Sequence, residues 1–131
     1  MSTPTKWQYF SAEELTCHCG CGRMDMDDGF MQKIVAMRRE LGFPFVVTSG
    51  FRCPEYNQRV SNTGPQGPHT TGHAMDINVH HGEAAEVLAV AKRRGITGLG
   101  LMQKGSDLSK RFIHMDDLQA PAYPRPNVWT Y

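Results

Sequence analysis

Residues 61–79 read SNTGPQGPHTTGHAMDINV, and the pattern of side chains changes within this stretch. The part 61–73 is rich in glycine, proline, serine and threonine, a composition typical of a loop. From residue 74 to residue 79, small or polar side chains alternate with larger apolar ones, which predicts a strand whose two faces differ in polarity. The polar face carries Asp76, and the loop before it carries His69. Such a loop is a common place for a functional site.

Upstream of this stretch, the sequence predicts a helix and a second strand. Residues 27–41 place apolar side chains at helical spacing behind the acidic cap candidates Asp27 and Asp28. Gly42 follows and is expected to end the helix. The apolar run 45–47 is bounded by proline and glycine, so we predict a short buried strand there.

Downstream, one more helix and two more strands are predicted. An alanine-rich segment indicates a helix that begins near Gly82 and closes at Gly95. The two strands are expected within TGLGLM, residues 97–102, and RFIHM, residues 111–115.

Both ends of the chain are predicted to be irregular. Residues 1–26 are polar and punctuated by glycine, and we expect an arm folded onto the domain. The segment 120–131 is rich in proline, so we expect it to wrap the surface, anchored by Trp129. The length of 131 residues suits one core. Together these elements predict a small single α+β domain over residues 1–131, with a mainly antiparallel sheet flanked by helices.

The overall composition excludes two classes of protein. The formal net charge is +1 and the sequence has no broad basic face, so nucleic-acid binding is not expected. No stretch approaches the roughly 20 apolar residues that a membrane helix needs, so membrane insertion is not expected. The opening MSTPTKWQYFSAEEL lacks the basic start and apolar run of a secretory signal. We expect a monomer that is made in the cytoplasm.

The cysteines allow three interpretations. They are Cys17, Cys19, Cys21 and Cys53, with three of them in the run CHCGCG. They could remain reduced, or Cys53 could form a disulfide with one of the others in an oxidising compartment. The run, together with His18, could also hold a structural metal. A tetrahedral zinc site, however, usually pairs C-x2-4-C with a second, distant pair, and only Cys53 is distant.

Two histidines and a carboxylate form a set of residues that predicts chemistry. His69 in the loop, Asp76 in the next strand and His114 in RFIHM could converge on one edge of a sheet. Two imidazoles and a carboxylate suffice for a catalytic zinc ion, which keeps three protein ligands and a position for water. Such an ion polarises a carbonyl and lowers the pKa of its water to about 7, the chemistry of peptide hydrolysis. A loop histidine can equally be solvated, and the spacing alone does not decide.

Three motifs resemble the M15 metallopeptidases, in particular the D-alanyl-D-alanine carboxypeptidase branch that also includes small phage lysins. The family signature S-x-H-x-x-G-x-A-x-D is matched by GPHTTGHAMD, residues 67–76, at every position except the first. The family's S-G-Y-R appears as SGFR, residues 49–52, and its F-x-H-x-D as FIHMD, residues 112–116. The opening YFSAEELTCHCGCG also looks like the family's N-terminal segment, so the resemblance covers residues 9–129.

The resemblance implies a fold shared with the hedgehog signalling domain and one catalytic zinc ion with three ligands: His69, Asp76 and His114. It also implies that Arg52 grips the substrate's terminal carboxylate, since a planar guanidinium makes bidentate bonds to a carboxylate. Ser49 and His73 are further candidates for substrate binding.

The expected general base is where the sequence departs from the family pattern. Related members place Glu or Asp three residues before the last zinc-binding histidine, and here that position is Arg111, which cannot accept a proton. Asp116 is the first substitute, because it lies on the same strand face as His114 and could activate water or orient that ligand. Asp107 and Asp117 are further candidates.

These features predict a zinc peptidase that cleaves peptidoglycan stem peptides or their cross-links after D-alanine. A lysin that cuts between L-alanine and D-glutamate is the alternative within the same class. A catalytically silent zinc-containing module of the cell wall or virion is the alternative outside it, and Arg111 favours that interpretation. Without a secretory signal, the protein is expected to reach the wall through phage lysis machinery or in a virion.

Overall fold

The computed structural model describes residues 2–131; residue 1, the first residue of the predicted arm, lies outside the described residues. Within residues 2–131 there are four α-helices and a five-stranded sheet. The helices are α1 (Ala12–Leu15), α2 (Asp28–Leu41), α3 (Pro54–Val60) and α4 (His81–Ala91). The strands are β1 (Val46–Ser49), β2 (Ala74–Asn78), β3 (Gly98–Met102), β4 (Phe112–Asp116) and β5 (Asn127–Thr130). Over the same residues, every helix is too short or too polar to cross a bilayer.

The strands form one sheet in the order β1-β2-β4-β3-β5. The first three neighbouring pairs are antiparallel, and the last pair, β3 with β5, is parallel. The prediction of an α+β domain with a mainly antiparallel sheet is therefore confirmed.

Alternation along the central strands gives the sheet a core face and a site face. On the core face, Met75 and Ile77 of β2 and Ile113 and Met115 of β4 are fully buried. They share one hydrophobic core with apolar side chains of α2 and α4: Phe30, Met31, Ile34, Met37, Val87 and Ala91. The residues between them along each strand point to the opposite face, which is where the polar side chains gather.

Helix α2 begins and ends as predicted. The Asp27 carboxylate accepts a hydrogen bond of 2.9 Å from the Phe30 N–H and caps the first turn. Gly42 ends the helix with a φ of 78°, the left-handed conformation that glycine adopts without a steric penalty. Strand β1 lies slightly later than predicted, at Val46–Ser49.

Three helical segments differ from the prediction. The N-terminal arm contains α1. Ser11 and Glu14 form a capping box at the N-terminus of this helix. Helix α3 was not predicted, although Pro54 at its first position is a typical start signal. Helix α4 ends at Ala91 and continues as a hydrogen-bonded turn rather than as helix to Gly95.

The C-terminal segment is not the irregular wrap that its prolines suggested. Residues Asn127–Thr130 form β5, and Trp129 lies opposite Gly100 of β3. All the prolines of this segment precede residue 127, so the strand itself keeps the N–H groups that a ladder needs. Trp129 is consequently fixed in the sheet rather than laid over the surface.

Candidate metal centre

One row of residues crosses the whole sheet on its site face. From β1 to β5 the row is Ser49, Asp76, His114, Gly100 and Trp129. Residues directly opposite each other on one face of a sheet have adjacent side chains. Asp76 and His114 therefore meet in the middle of the sheet, on two interior strands, and not at its edge as the sequence suggested.

His69 joins this row from a 3-10 turn, Pro68–Thr71. Its Nε2 lies 3.1 Å from Asp76 Oδ1, and His114 Nδ1 lies 2.9 Å from the same oxygen. The three side chains, called the metal trio below, are almost fully buried, and one ligand atom from each lies within 4.8 Å of the others. Two imidazole nitrogens and a carboxylate oxygen around one point form the donor set of a catalytic zinc site.

The outer nitrogen of each imidazole in the trio is held by an acceptor. His69 Nδ1 lies 2.9 Å from the Gly50 carbonyl oxygen, and His114 Nε2 lies 2.7 Å from Asp116 Oδ2. Because both oxygens accept, each of these nitrogens carries a hydrogen, and the inner nitrogen is the one that a metal would take. The residues thus fit a zinc ion in donor type and in tautomer.

Asp116 is fully buried and paired with Arg125. The guanidinium donates from Nε to Oδ1 and from Nη2 to Oδ2, both at 2.8 Å. Burial alone would raise the pKa of Asp116, but the bonds from Arg125 and His114 lower it to about 2. Since the charged carboxylate is already committed to these partners, the geometry favours an orienting role for Asp116 over that of a general base.

The trio is electrostatically prepared for a cation. Burial alone would lower the pKa of His114, but the hydrogen bonds and charges of Asp116 and Asp76 raise it to about 9. The pKa of Asp76 is lowered in spite of burial, by the charges and hydrogen bonds of His69 and His114. In the metal-free protein a proton therefore supplies the positive charge, and a bound metal ion would replace it.

A cleft of about 610 Å³ opens over the trio, and Arg52 lies on its wall. Arg52 Nη2 is 4.0 Å from Asp76 Oδ2. The rest of the guanidinium is fixed from behind, since Nε donates to Ser49 Oγ and Nη1 donates to Asn57 Oδ1, both at 3.1 Å. Ser49 is buried and outside the cleft lining, so it acts on the cleft through Arg52.

The other wall of the cleft comes from the C-terminal segment and was not predicted. The Trp129 ring lies 5.3 Å from the His114 ring, and the Arg125 guanidinium lies 4.9 Å from the Trp129 ring. Tyr131 lines the same cleft. Burial raises the pKa of its phenol, a hydrogen bond from Trp129 opposes this, and the negative charge of Asp76 adds to it.

Two glycines of β3 make room for these side chains. A Cβ at Gly100 would lie 2.6 Å from Trp129 Nε1 and 2.8 Å from Tyr131 Oη. A Cβ at Gly98 would overlap the Asp116–Arg125 pair. The signal was present in the sequence, because glycines at alternate positions of a strand mark a face approached closely by other groups.

His73 and Asp117 lie on the other side of the sheet from the trio. His73 Nδ1 is 2.7 Å from Asp117 Oδ1, and Lys33 Nζ is 2.8 Å from the other oxygen of that carboxylate. Neither residue lines the cleft. Successive residues along a strand point to opposite faces of the sheet. His73 is three residues before Asp76 and Asp117 is three residues after His114, and an odd number of residues along the chain leads to the opposite face. The structure therefore does not bring His73 to the substrate side or Asp117 to the position of a base.

Asp107 and Arg111 also lie outside the cleft lining. Asp107 caps a 3-10 turn, Leu108–Lys110, by accepting from the Ser109 N–H at 3.1 Å. Arg111 donates from Nη2 to the Gly105 carbonyl at 2.8 Å. Both side chains thus stabilise the surface loop that precedes β4.

Comparison with known proteins adds a match over most of the chain. A family model described as Peptidase M15 matches residues 8–116, which include the whole metal trio and Arg52 but not β5. No curated protein and no solved structure matches.

Proposed function

The chain belongs to the peptidase M15 family, and on that premise we propose that it is a zinc peptidase that cleaves peptidoglycan stem peptides or their cross-links after D-alanine. The observation that carries the proposal is the metal trio, with both imidazoles oriented from outside and with Arg52 fixed beside it. A peptidase needs a group that activates a carbonyl and a group that positions the peptide, and these residues supply both.

The trio would hold the zinc ion. Its donors are two imidazole nitrogens and one carboxylate oxygen, all buried at the floor of the cleft. Zinc bound there supplies Lewis acidity toward a peptide carbonyl and toward water. Asp116 and the Gly50 carbonyl hold the two imidazoles in the orientation that this binding needs.

Arg52 would select the substrate by its carboxylate. The guanidinium is immobilised by Ser49 and Asn57 and retains N–H groups for a bidentate pair with a carboxylate. Because Nη2 is 4.0 Å from Asp76 Oδ2, a carboxylate bound to Arg52 would lie close to the trio, and so close to the scissile carbonyl. This spacing supports hydrolysis of the last peptide bond before a free carboxylate, as in a terminal D-alanyl-D-alanine.

Tyr131 and Trp129 would complete the cleft. A phenol is protonated at neutral pH, and burial raises the pKa of Tyr131 further, so its hydroxyl could donate to the oxygen of the scissile carbonyl as negative charge develops there. The Trp129 ring packs on His114 and shields that imidazole from water.

Cleavage between L-alanine and D-glutamate is a second candidate that the position of Arg52 also suits. In a stem peptide the D-glutamate is linked through its side chain, so its α-carboxylate stays free. That carboxylate stands one residue past the scissile bond, at the same distance as in a terminal D-alanyl-D-alanine.

A catalytically silent wall-binding module is favoured by a different observation. Within residues 2–131, the carboxylate that lines the cleft is Asp76, which already belongs to the trio. Arg111, three residues before His114, cannot take a proton from water and is bonded to Gly105. Such a module would bind wall peptides through Arg52 without shortening them.

Mass spectrometry of a pentapeptide muropeptide and of a cross-linked dimer tests these candidates. Zinc-loaded protein is compared with chelated protein, with His114→Ala, and with His18→Ala as a matched control, since His18 is exposed and outside the trio. Loss of one alanine, or splitting of the dimer, in the loaded wild type and His18→Ala alone supports the proposal. Cleavage after L-alanine would assign the second candidate. Retention of unshortened muropeptides by the loaded protein would assign the silent module.

A further inference from the structure

A second group of metal-ligating side chains lies apart from the cleft. The Sγ atoms of Cys17, Cys19, Cys21 and Cys53, called the cysteine cluster below, all lie within 4.8 Å of one another. The Cys17–Cys19 separation is 3.5 Å and the Cys19–Cys53 separation is 3.6 Å. Four sulfurs bound tetrahedrally to zinc, each at about 2.3 Å, are about 3.8 Å apart. The cluster therefore has the dimensions of a tetrahedral thiolate site.

The backbone brings the cluster together from two separate pieces of chain. In the run CHCGCG, Gly20 has a φ of 90° and Gly22 a φ of 81°. An added Cβ would meet nothing within 4 Å at either glycine, so the left-handed conformation, and not lack of space, requires glycine there. These two turns curl the run so that its three sulfurs share one side. Cys53 approaches from the other piece, as the N-cap residue of α3.

A backbone N–H group points at one of the sulfurs. The Cys53 N–H donates to Cys17 Sγ at 3.3 Å. Hydrogen bonds of this kind stabilise thiolates, and the thiolate is the form that binds metal.

We propose that the cysteine cluster binds a second zinc ion with a structural role. Four thiolates close the tetrahedron and leave no position for a substrate or water, which is the character of a structural site. Disulfides would join the sulfurs in pairs at about 2 Å, whereas Cys19 Sγ lies 3.5 Å from Cys17 Sγ and 3.6 Å from Cys53 Sγ, and all four sulfurs converge. Burial explains the positions of Cys17 and Cys53, but it does not explain why exposed Cys19 and Cys21 converge on them. The assignment does not depend on the proposed reaction at the trio.

The second ion would clamp the N-terminal arm to the loop that carries Arg52. Cys53 follows Arg52 directly, and the Phe51 N–H already donates to the Leu15 carbonyl of the arm at 3.0 Å. The Arg52 N–H in turn donates to the His69 carbonyl at 3.1 Å. Loss of the ion is therefore expected to displace Arg52 while the trio keeps its own ligands.

Metal content and cobalt spectra separate the two sites. Wild type is expected to bind one zinc ion in each site, and the pair Cys19→Ser and Cys21→Ser is expected to lose one ion. The pair His69→Ala and His114→Ala is expected to lose the other, and to show sulfur-to-metal charge-transfer absorption when loaded with Co²⁺. His18→Ser is the matched control within the same run and should keep both ions. Absence of thiolate absorption from the cobalt-loaded histidine variant would overturn the proposal.

Alkylation of the cysteines tests the same proposal in the wild-type protein, so the result does not depend on whether a variant folds. In zinc-loaded, unreduced wild type, the four cysteines are expected to resist alkylation and to react together once a chelator is added. A disulfide detected by mass, or alkylation at the same rate with and without chelator, would overturn the proposal. Lack of muropeptide cleavage by protein whose cysteine cluster holds zinc would count against the proposed function alone.

Discussion

Asp116 Oδ2 lies 2.7 Å from His114 Nε2, while Arg125 holds both oxygens of the same carboxylate. This contact fixes the hydrogen on the outer nitrogen of the imidazole and turns Nδ1 toward Asp76. A carboxylate that the sequence offers as a general base thus lies behind the metal trio, on the outer side of His114.

Asp116→Asn is predicted to weaken zinc binding at the trio about 10- to 100-fold, the usual effect of losing an outer carboxylate that holds a ligating imidazole. Competition with a chromophoric chelator, in protein that also carries Cys19→Ser and Cys21→Ser so that the trio alone binds zinc, measures the Kd. Asp107→Asn, an exposed cap residue outside the cleft, is the matched control and should leave the Kd unchanged. Wild-type zinc affinity combined with lost turnover in Asp116→Asn would show that Asp116 acts as a base instead.

Arg52→Lys is predicted to lower kcat/KM roughly 10- to 100-fold, because the ammonium cannot reproduce the fork that pairs with a carboxylate. Replacing the substrate's C-terminal carboxylate by an amide should lower the kcat/KM of the wild type by a similar factor. The same replacement should change the kcat/KM of Arg52→Lys only slightly. Arg59→Lys on α3 is the control, since Arg59 is exposed and outside the cleft lining. Equal cleavage of acid and amide by the wild type would remove this role from Arg52.

Gly100→Ala is predicted to push Trp129 and Tyr131 away from the trio, because its Cβ would lie 2.6 Å from the indole nitrogen. We expect the free energy of unfolding to fall by about 1–3 kcal/mol, as in other overpacked sites. Gly82→Ala is the matched control, since its Cβ would meet nothing within 4 Å. Denaturant unfolding followed by tryptophan fluorescence gives both values, and equal stabilities for the two variants would rule out the close packing of β5 on β3.

The metal-free protein is predicted to lose stability as the pH rises from about 6.5 to about 9. Against the effect of burial, Asp116 and Asp76 raise the pKa of His114 from 6.5 to about 9 in the folded state. The folded state therefore holds this proton more tightly than the unfolded state, so the stabilisation is full below pH 6.5 and is lost as the pH rises through about 9. Zinc replaces the proton, and the loaded protein should lack this dependence.

Thermal unfolding of chelated protein across this pH range measures the effect. Chelated His114→Gln is the reference, because every other titrating group is shared and the difference between the two curves belongs to His114. Parallel curves for wild type and variant would mean that His114 gains no proton affinity on folding.

The centre of the fold and the trio could be predicted because they depend on local pattern. Alternation in AMDINV and RFIHM assigns Asp76 and His114 to strands, and the resemblance to a known family pairs them with His69. That these two strands are neighbours, with Asp76 opposite His114, depends on how the entire sheet packs. The sequence therefore identified the three residues but placed them at a sheet edge.

The C-terminal wall of the cleft could not be predicted for the same reason. Strand β5 is short, follows a proline-rich segment and pairs in parallel with β3, so no local signal shows its partner. Gly98 and Gly100 leave room for the C-terminal segment. This function of the two glycines can be recognised only once Trp129 and Arg125 are known to lie over them. Helix α3 had a start signal in Pro54, and the loop-like composition after it concealed the rest.

Zinc titration of the metal-free protein, with release of D-alanine from a pentapeptide muropeptide as the readout, is the decisive test of peptide hydrolysis at the trio. Cleavage is expected to return with added zinc in the wild type and, at a raised KM, in the double variant Cys19→Ser and Cys21→Ser. It is expected to stay absent in His69→Ala at every zinc concentration. Zinc bound at the trio with the muropeptide left intact would contradict the claim that this site hydrolyses peptides.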